Sequence, residues 1–299
     1  MRIGFIGAGK VGFTLGRYIT EHGRRSDADF DSRFSAVCVL GYYSLHPESA
    51  RAAALFTDTC AYESLETLVS ESDVIIITVP DGQIEAVWNS IKELDISSKL
   101  ICHCSGAMTS KIFSGVAQAG AYAYSIHPIY AINSRETSYK TLNEAVFTVE
   151  GDELYAEKVR DYIRYLGNEC IIISAENKVK YHCSAVFASN LVTGLYRMSC
   201  DMLRECDFPD DLAEKALLPL FMGNASHIAA QGISDALTGP VERNDAATVE
   251  KHLKEISGSY RQVYLMLTDK LLDIAQEKYP DRDYDRIREL VRKYRFIGE

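Results

Sequence analysis

Polar side chains stand close together on a segment that otherwise reads as a packed helix. They are Lys178, His182, Ser189 and Asn190, set among Ala185, Val186, Phe187, Ala188 and Leu191. Steps of four and eleven residues turn His182 and Ser189 by about 40° and 20° from Lys178, so the three share a face; Asn190 lies about 80° round from His182. Polar groups among apolar ones on a helix require partners. An ammonium or imidazole held there is suited to exchange a proton with a reacting oxygen or nitrogen. Two further groups sit where apolar runs end. In Cys102-His103-Cys104-Ser105-Gly106-Ala107, the Ser105 hydroxyl and the N–H groups at Ser105 and Gly106 form a set that holds a carboxylate or carbonyl. In Ser125-Ile126-His127-Pro128, His127 falls on a His-Pro turn, where an imidazole either does acid–base work or is satisfied by backbone. His103, inside its run, reads as packing. Arg243, in the polar loop from Ala236 to Asp245, is the natural anchor for a carboxylate or phosphate because a guanidinium bonds such groups bidentately. Asn244 or Asp245 caps the helix that follows.

A ligand for this set is indicated at the other end of the chain. Gly7-Ala8-Gly9-Lys10-Val11-Gly12 fits GxGxxG, follows the strand-like run Ile3-Gly4-Phe5-Ile6 and opens a helix near Val11. That arrangement aims unpaired N–H groups and a helix dipole at a pyrophosphate. Gly7 permits the tight turn, Gly9 lets the phosphate approach, and Gly12 lets helix and strand pack closely, so a dinucleotide is expected. The second strand ends Leu40-Gly41-Tyr42-Tyr43-Ser44-Leu45-His46, without the carboxylate that meets the ribose of NAD. Ser44, helped by His46 or Arg51, suits the extra phosphate of NADP, which is preferred over NAD. Asp27, Asp29 and Asp31 precede that strand and read as a solvated loop. Val74-Ile75-Ile76-Ile77-Thr78-Val79-Pro80-Asp81 is a buried strand whose carboxyl end, Val79, Pro80 and Asp81, borders the cofactor crevice. Hydride transfer to a C=O or C=N group needs a proton donor, and Lys178 or His182 can fill that role.

Alternating elements position these groups. Strand-like runs at Arg2 to Ile6, Ser35 to Leu40, Val74 to Val79, Leu100 to His103, Ala123 to Ile126, Ala145 to Glu150 and Cys170 to Ser174 alternate in part with helical stretches such as Val11 to Glu21 and Asp152 to Leu166. This is a βαβ pattern with a mainly parallel sheet. Beyond Ser174 the periodicity is helical, at about 177 to 206, 210 to 231, 245 to 276 and 283 to 296, with Pro219 as an expected kink. The chain therefore divides into a dinucleotide-binding domain, 1–175, and an all-helical domain, 176–299. The 299 residues, 47% hydrophobic and 25% charged, suffice for two folded domains. With 32 basic and 42 acidic residues the net charge is −10, which argues against nucleic acid or an anionic membrane surface as partner. No leader or spanning stretch is read, and the 8 cysteines are scattered, so a cytoplasmic protein with reduced thiols and no metal site is expected.

Together these motifs resemble the 6-phosphogluconate dehydrogenase and β-hydroxyacid dehydrogenase superfamily. Pyrroline-carboxylate reductases, ketopantoate reductases and deazaflavin-dependent NADP reductases are similar in architecture. The chain more closely resembles a family of NADP-dependent oxidoreductases with a Rossmann-like domain and a C-terminal domain of unknown function. The resemblance spans essentially the full length and rests on Gly7 to Gly12, Val79-Pro80-Asp81, His103 to Ala107, Ser125 to Pro128, Lys178 to Asn190, and Ala236 to Pro240 through Arg243, Asp245, Thr248 and His252. It implies a Rossmann-type, doubly wound sheet followed by a helical domain like that of 6-phosphogluconate dehydrogenase, and a homodimer built through the helical domain. Lys178 matches the place of a catalytic lysine in hydroxyacid dehydrogenases, whereas the asparagine those enzymes carry four residues on is His182 here. Ser44-Leu45-His46 stands where the family commonly has Ser-Arg-Ser. The expected activity is hydride transfer between NADP(H) and a small carboxylated carbonyl, imine or hydroxy compound, with Lys178, His182, Ser105, Asn190 and His127 in the chemistry and Arg243 on the substrate. A dinucleotide-binding regulator without catalysis is the alternative, because a fold by itself does not fix chemistry.

Overall fold

Runs of β-branched residues build the centre of the sheet. In the structure, a computed structural model that describes residues 1–23 and 37–295, β4 (Val74–Ile77) is buried at every position. It lies between β1 (Arg2–Ile6) and β5 (Leu100–His103). Beyond β1 come β2 (Cys38–Tyr43) and a two-residue edge strand, β3 (Cys60–Ala61). Beyond β5 come β6 (Tyr122–Ile129), β7 (Val146–Gly151) and β8 (Cys170–Ile172). The order β3-β2-β1-β4-β5-β6 is parallel throughout, β7 runs antiparallel to β6, and β8 runs parallel to β7. This is the Rossmann-type, mainly parallel sheet expected. The start of the second strand at Ser35, and Asp27, Asp29 and Asp31, lie outside the described residues. His127 and Pro128 are inside β6 rather than on a turn.

Alternate residues of each strand feed two cores. Val74 and Ile76 face a cluster with Phe13, Tyr18 and Ile19 of α1 (Lys10–His22), Ala53 of α2 (Pro47–Thr57) and Val159 of α5 (Glu153–Tyr165). Ile75 and Ile77 face Leu68 of α3 (Leu65–Glu71) and Trp88 of α4 (Ile84–Ile91). Both sheet faces are thus covered, which is why β4 reads as an unbroken apolar run rather than an alternating one.

The chain falls into two compact units, Met1–Ser189 and Asn190–Glu299. The expected boundary at 175 moves to Ser189 because α6 (Lys178–Ala188) packs with the sheet: Lys178 is fully buried and Tyr181 bonds to His127 of β6. The single helix predicted over 177 to 206 is broken at Ser189, whose backbone is not helical (φ −130°, ψ −84°).

Among the described residues the regular elements of the second unit are all helices: α7 (Asn190–Arg204), α8 (Asp210–Ala236), α9 (Ala246–Glu255), α10 (Gly258–Lys278) and α11 (Asp285–Arg295). Val249, Leu253, Leu265, Leu272, Ile287 and Val291 form its core. Asp245 caps α9 by accepting from the Thr248 N–H, 3.0 Å. The backbone of α8 leaves helical geometry at Gly232 (φ 82°) rather than at Pro219. Among the described residues no helix is long and apolar enough to cross a membrane.

Candidate active site

The turn from β1 into α1 is shaped by three glycines with different duties. Gly7 adopts φ 103°, and a Cβ there would lie 2.9 Å from the Thr78 backbone. Its carbonyl accepts from Thr78 Oγ1 at 2.8 Å, which locks the turn to the end of β4. A Cβ on Gly12 would stand 2.7 Å from the Gly7 carbonyl. Both positions therefore exclude a side chain for the protein's own packing. Gly9 is different: a Cβ there would meet nothing nearer than 3.8 Å. Gly9 is also the N-cap of α1 and supplies no side-chain cap. The first N–H groups of α1 have no acceptor within the helix, so the open side of Gly9 fits a pyrophosphate that would fill it and cap the helix. Ala8 is buried beneath the turn, while Lys10 is exposed and Val11 half-buried at its mouth.

At the end of β2, Ser44 is half-buried and its Oγ accepts from the His46 N–H at 3.2 Å. His46 is the N-cap of α2, which begins with Pro47. A hydroxyl beside a helix start is a setting for a second phosphate. Past β4, Val79 is half-buried, and Pro80 and Asp81 are exposed at a short helical turn, Asp81–Gln83.

The carboxyl ends of β4, β5 and β6 bring the reactive groups together. Ser105 Oγ donates to Asp81 Oδ2 at 2.7 Å and accepts from the N–H groups of Ala107 and Met108. The Ser105 N–H donates to His103 Nδ1, and His103 Nε2 lies 3.2 Å from the Thr109 carbonyl. His103 is thus a satisfied packing group, as its place inside the strand suggested, and burial pulls its pKa down to about 4. His127 Nδ1 lies 2.6 Å from the Tyr181 hydroxyl, and its ring centre stands 6.2 Å from that of His182. Gly106 runs between the two rings: a Cβ on it would be 2.4 Å from His182 Nδ1 and 2.9 Å from His127 Nε2. Burial, reinforced by the charge of Lys178, lowers the His127 pKa to about 4, so this ring is neutral near pH 7.

Lys178 opens α6 with 0% exposure. Its Nζ has no hydrogen-bond partner among the described residues and lies 5.4 Å from the Tyr181 ring centre. Burial lowers its pKa to about 8, against the attraction of Glu150, Cys104 and Asp81. Glu150 is itself buried and spoken for, accepting from the Ser110 N–H at 2.7 Å and from the Ser110 hydroxyl at 2.9 Å. His182 Nδ1 is also buried without a hydrogen-bond partner. An ammonium and an imidazole nitrogen left unsatisfied one helical turn apart are ready for a ligand that supplies what the protein does not.

Asp81, Ser105, Gly106, His127, Lys178 and His182 are therefore gathered in one place. Asn190 opens α7 in the second unit, and the face it was expected to share with Lys178 ends at Ser189, whose hydroxyl donates to the Ala185 carbonyl. Arg243 is an exposed residue of the second unit. Tyr181 and Glu150 carry no expected role, yet both shape the site. The spacing of Tyr181, three residues after Lys178, and an acidic residue inside an apolar strand were the available signals. Among the described residues no group of three or more His, Cys, Asp or Glu is placed to hold a metal ion.

Fold and cradle together define an oxidoreductase architecture with a nicotinamide dinucleotide as cofactor. Residues 2–105 match the family described as NADP oxidoreductase, coenzyme F420-dependent, and residues 145–271 match a domain of unknown function, DUF2520. The chain thus joins an NADP oxidoreductase region to a DUF2520 region. No curated protein sequence matches it. Protein TM1727 from Thermotoga maritima is similar in structure, with a TM-score of 0.70 and 24% identity over 92% of this chain and 99% of that one. The pyrroline carboxylate reductase of Plasmodium falciparum, solved with NADP bound, has a TM-score of 0.57 and 14% identity over 93% and 98% of the two chains. An imine reductase from Pseudomonas sp. has a TM-score of 0.55 and 15% identity over 98% and 92%. At these identities the likenesses establish the fold.

Proposed function

We propose that this chain transfers a hydride between NADP(H) and a small carboxylated carbonyl, imine or hydroxy compound, with Lys178 exchanging the proton. The observation that carries the reading is the fully buried Lys178 Nζ, without a hydrogen-bond partner, beside the carboxyl ends of β4, β5 and β6. The cofactor's nicotinamide supplies or takes the hydride. Gly7, Ala8, Gly9, Lys10, Val11 and Gly12 hold the pyrophosphate, Ser44 favours the phosphate of NADP over NAD, and Val79, Pro80, Asp81, Ser105 and Gly106 border the nicotinamide end. A lysine with a pKa near 8 is well matched to giving or accepting a proton close to neutral pH. Asn190 as an orienting group and Arg243 as an anchor for the substrate carboxylate rest on their chemistry alone. The eight free cysteines fit a reducing compartment, the cytoplasm.

A panel of keto acids and cyclic imines mixed with NADPH is expected to give a fall in nicotinamide absorbance with at least one member. NADPH is expected to bind more tightly than NADH. Binding of NADPH without hydride exchange across the panel would replace this reading with a dinucleotide sensor, and tighter NADH binding would reverse the cofactor preference.

The partner proposed for the helical unit is a second copy. Along the 27 residues of α8 only Ala213 and Ala236 are buried, while Leu218, Leu220, Met222 and Ile233 are more than half exposed. Exposed apolar side chains in such number along one long helix make it an association surface. Light scattering should give twice the chain mass, and Leu220→Glu combined with Met222→Glu should give a monomer; a monomeric unaltered chain at micromolar concentration would end the proposal.

A further inference from the structure

Two nitrogen atoms in the site converge on one spot. His127 Nε2 and His182 Nδ1 lie 2.9 and 2.4 Å from the single point where a Cβ on Gly106 would stand, so they are separated by less than the sum of those distances. One atom hydrogen-bonded to both spans such a gap. His182 Nδ1 is buried and lacks a partner. His127 is held from behind: β6 and β7 place it opposite Thr148, and its Nδ1 meets the Tyr181 hydroxyl at 2.6 Å. The more acidic proton in that short contact is the phenol's, so Tyr181 O–H donates to the Nδ1 lone pair. A neutral imidazole then carries its own hydrogen on Nε2, facing Gly106.

We propose that Tyr181 fixes His127 as an Nε2–H donor, and that His127 Nε2 and His182 Nδ1 together grip one oxygen of the substrate beside Gly106, which selects hydroxy and keto acids over cyclic imines. This rests on the reaction proposed above and narrows its substrate class. A hydroxyl accepts from His127 and donates to His182 Nδ1 when that nitrogen is bare; a carbonyl oxygen, with two lone pairs, accepts from both rings when His182 carries its hydrogen on Nδ1. A neutral imine nitrogen has one lone pair and meets only one of the rings. A protonated imine has none, and it brings a positive charge towards the buried Lys178 ammonium. Tyr181 is a positioning residue, while His127 and His182 touch the substrate.

The test is nitrogen NMR of the full-length protein, labelled in its histidines and saturated with NADP. Lactate is titrated against propionate, glycolate against acetate, and malate against succinate, with 1-pyrroline-2-carboxylate as the imine. The His127 and His182 ring signals are expected to move with at least one hydroxy acid at a concentration tenfold or more below that needed for its matched acid or for the imine. Equal midpoints within every pair, or no movement with any hydroxy acid, would overturn the proposal. Before any acid is added, His127 should show the Nε2–H tautomer; the Nδ1–H form would also overturn it. Tyr181→Phe should mix the tautomers and erase the tenfold preference while leaving NADPH affinity in place, and a preference that survives the substitution would remove Tyr181 from the device. Absence of hydride transfer to these acids would count against the proposed reaction but leave the binding ratio standing, so the two failures are distinguishable.

Discussion

Replacing Lys178 with methionine is expected to abolish measurable turnover and, in the same variant, to raise the melting temperature. The two effects share one cause. The ammonium is buried and lacks a hydrogen-bond partner, and its pKa is lowered from 10.5 to about 8 even with the attraction of Glu150 included. A tenfold loss of proton affinity corresponds to about 1.4 kcal/mol, so keeping the charge folded costs on the order of 3 kcal/mol near neutral pH. Methionine fills similar space without that cost. The gain corresponds to several degrees in Tm, at about 2 to 4 °C per kcal/mol for a large domain, while losing a proton donor should lower kcat by roughly 10² to 10⁴.

The pH dependence of the stability difference has a definite sign. Below pH 8 the lysine is charged in folded and unfolded chains alike, and the variant leads by the full amount. Between about pH 8 and 10.5 the unfolded chain holds the proton and the folded chain does not, so the unaltered protein gains stability relative to the variant as pH rises. The reductive rate, which needs the ammonium, should fall as pH passes about 8, and the oxidative rate should rise. Calorimetry from pH 6 to 10 together with initial rates checks both; a lower Tm for the variant would mean that the folded protein satisfies this ammonium.

The second large effect separates two glycines that lie two residues apart. Gly9→Ala should leave Tm nearly unchanged, since the added methyl meets nothing within 3.8 Å, yet it should weaken NADPH binding more than tenfold by standing where a phosphate approaches. Gly7→Ala should cost stability first, by about 2 kcal/mol or more, because φ 103° is unfavourable for a side chain and the methyl presses on the Thr78 backbone at 2.9 Å. Titration calorimetry and thermal melts on both variants distinguish the roles. Unchanged NADPH affinity in Gly9→Ala would show that the phosphate does not lie over that residue.

The glycine cradle, β4 and the change from mixed to helical periodicity were legible in the sequence because each is written in local residue types. What stayed hidden depended on distant neighbours. His127 and Pro128 look like a turn, since proline rarely sits inside a sheet. The strand tolerates it because β5 pairs with β6 only as far as Ser125, and beyond that point β7 is the only strand partner among the described residues. The break at Ser189 carries neither glycine nor proline, so helical spacing ran on past it to Asn190 and joined residues of two different units. Tyr181 appeared in the motif around Lys178 without a duty, because its partner, His127, lies 54 residues earlier. The edge strand β3, at two residues, is too short for periodicity to register.

The assignment of α6 to the first unit bears on how the protein is made. A ribosome releases the chain from its amino end, and domains tend to fold as they emerge. The glycine turn comes out before the rest of the sheet, the last strand is complete at Ile172, and Lys178 follows only after it. A nascent chain thus owns the glycine turn before it owns Lys178, the proton donor proposed above. On the proposed reading, cofactor met during synthesis would find a place to bind before Lys178, on the final helix of the first unit, is there to exchange a proton.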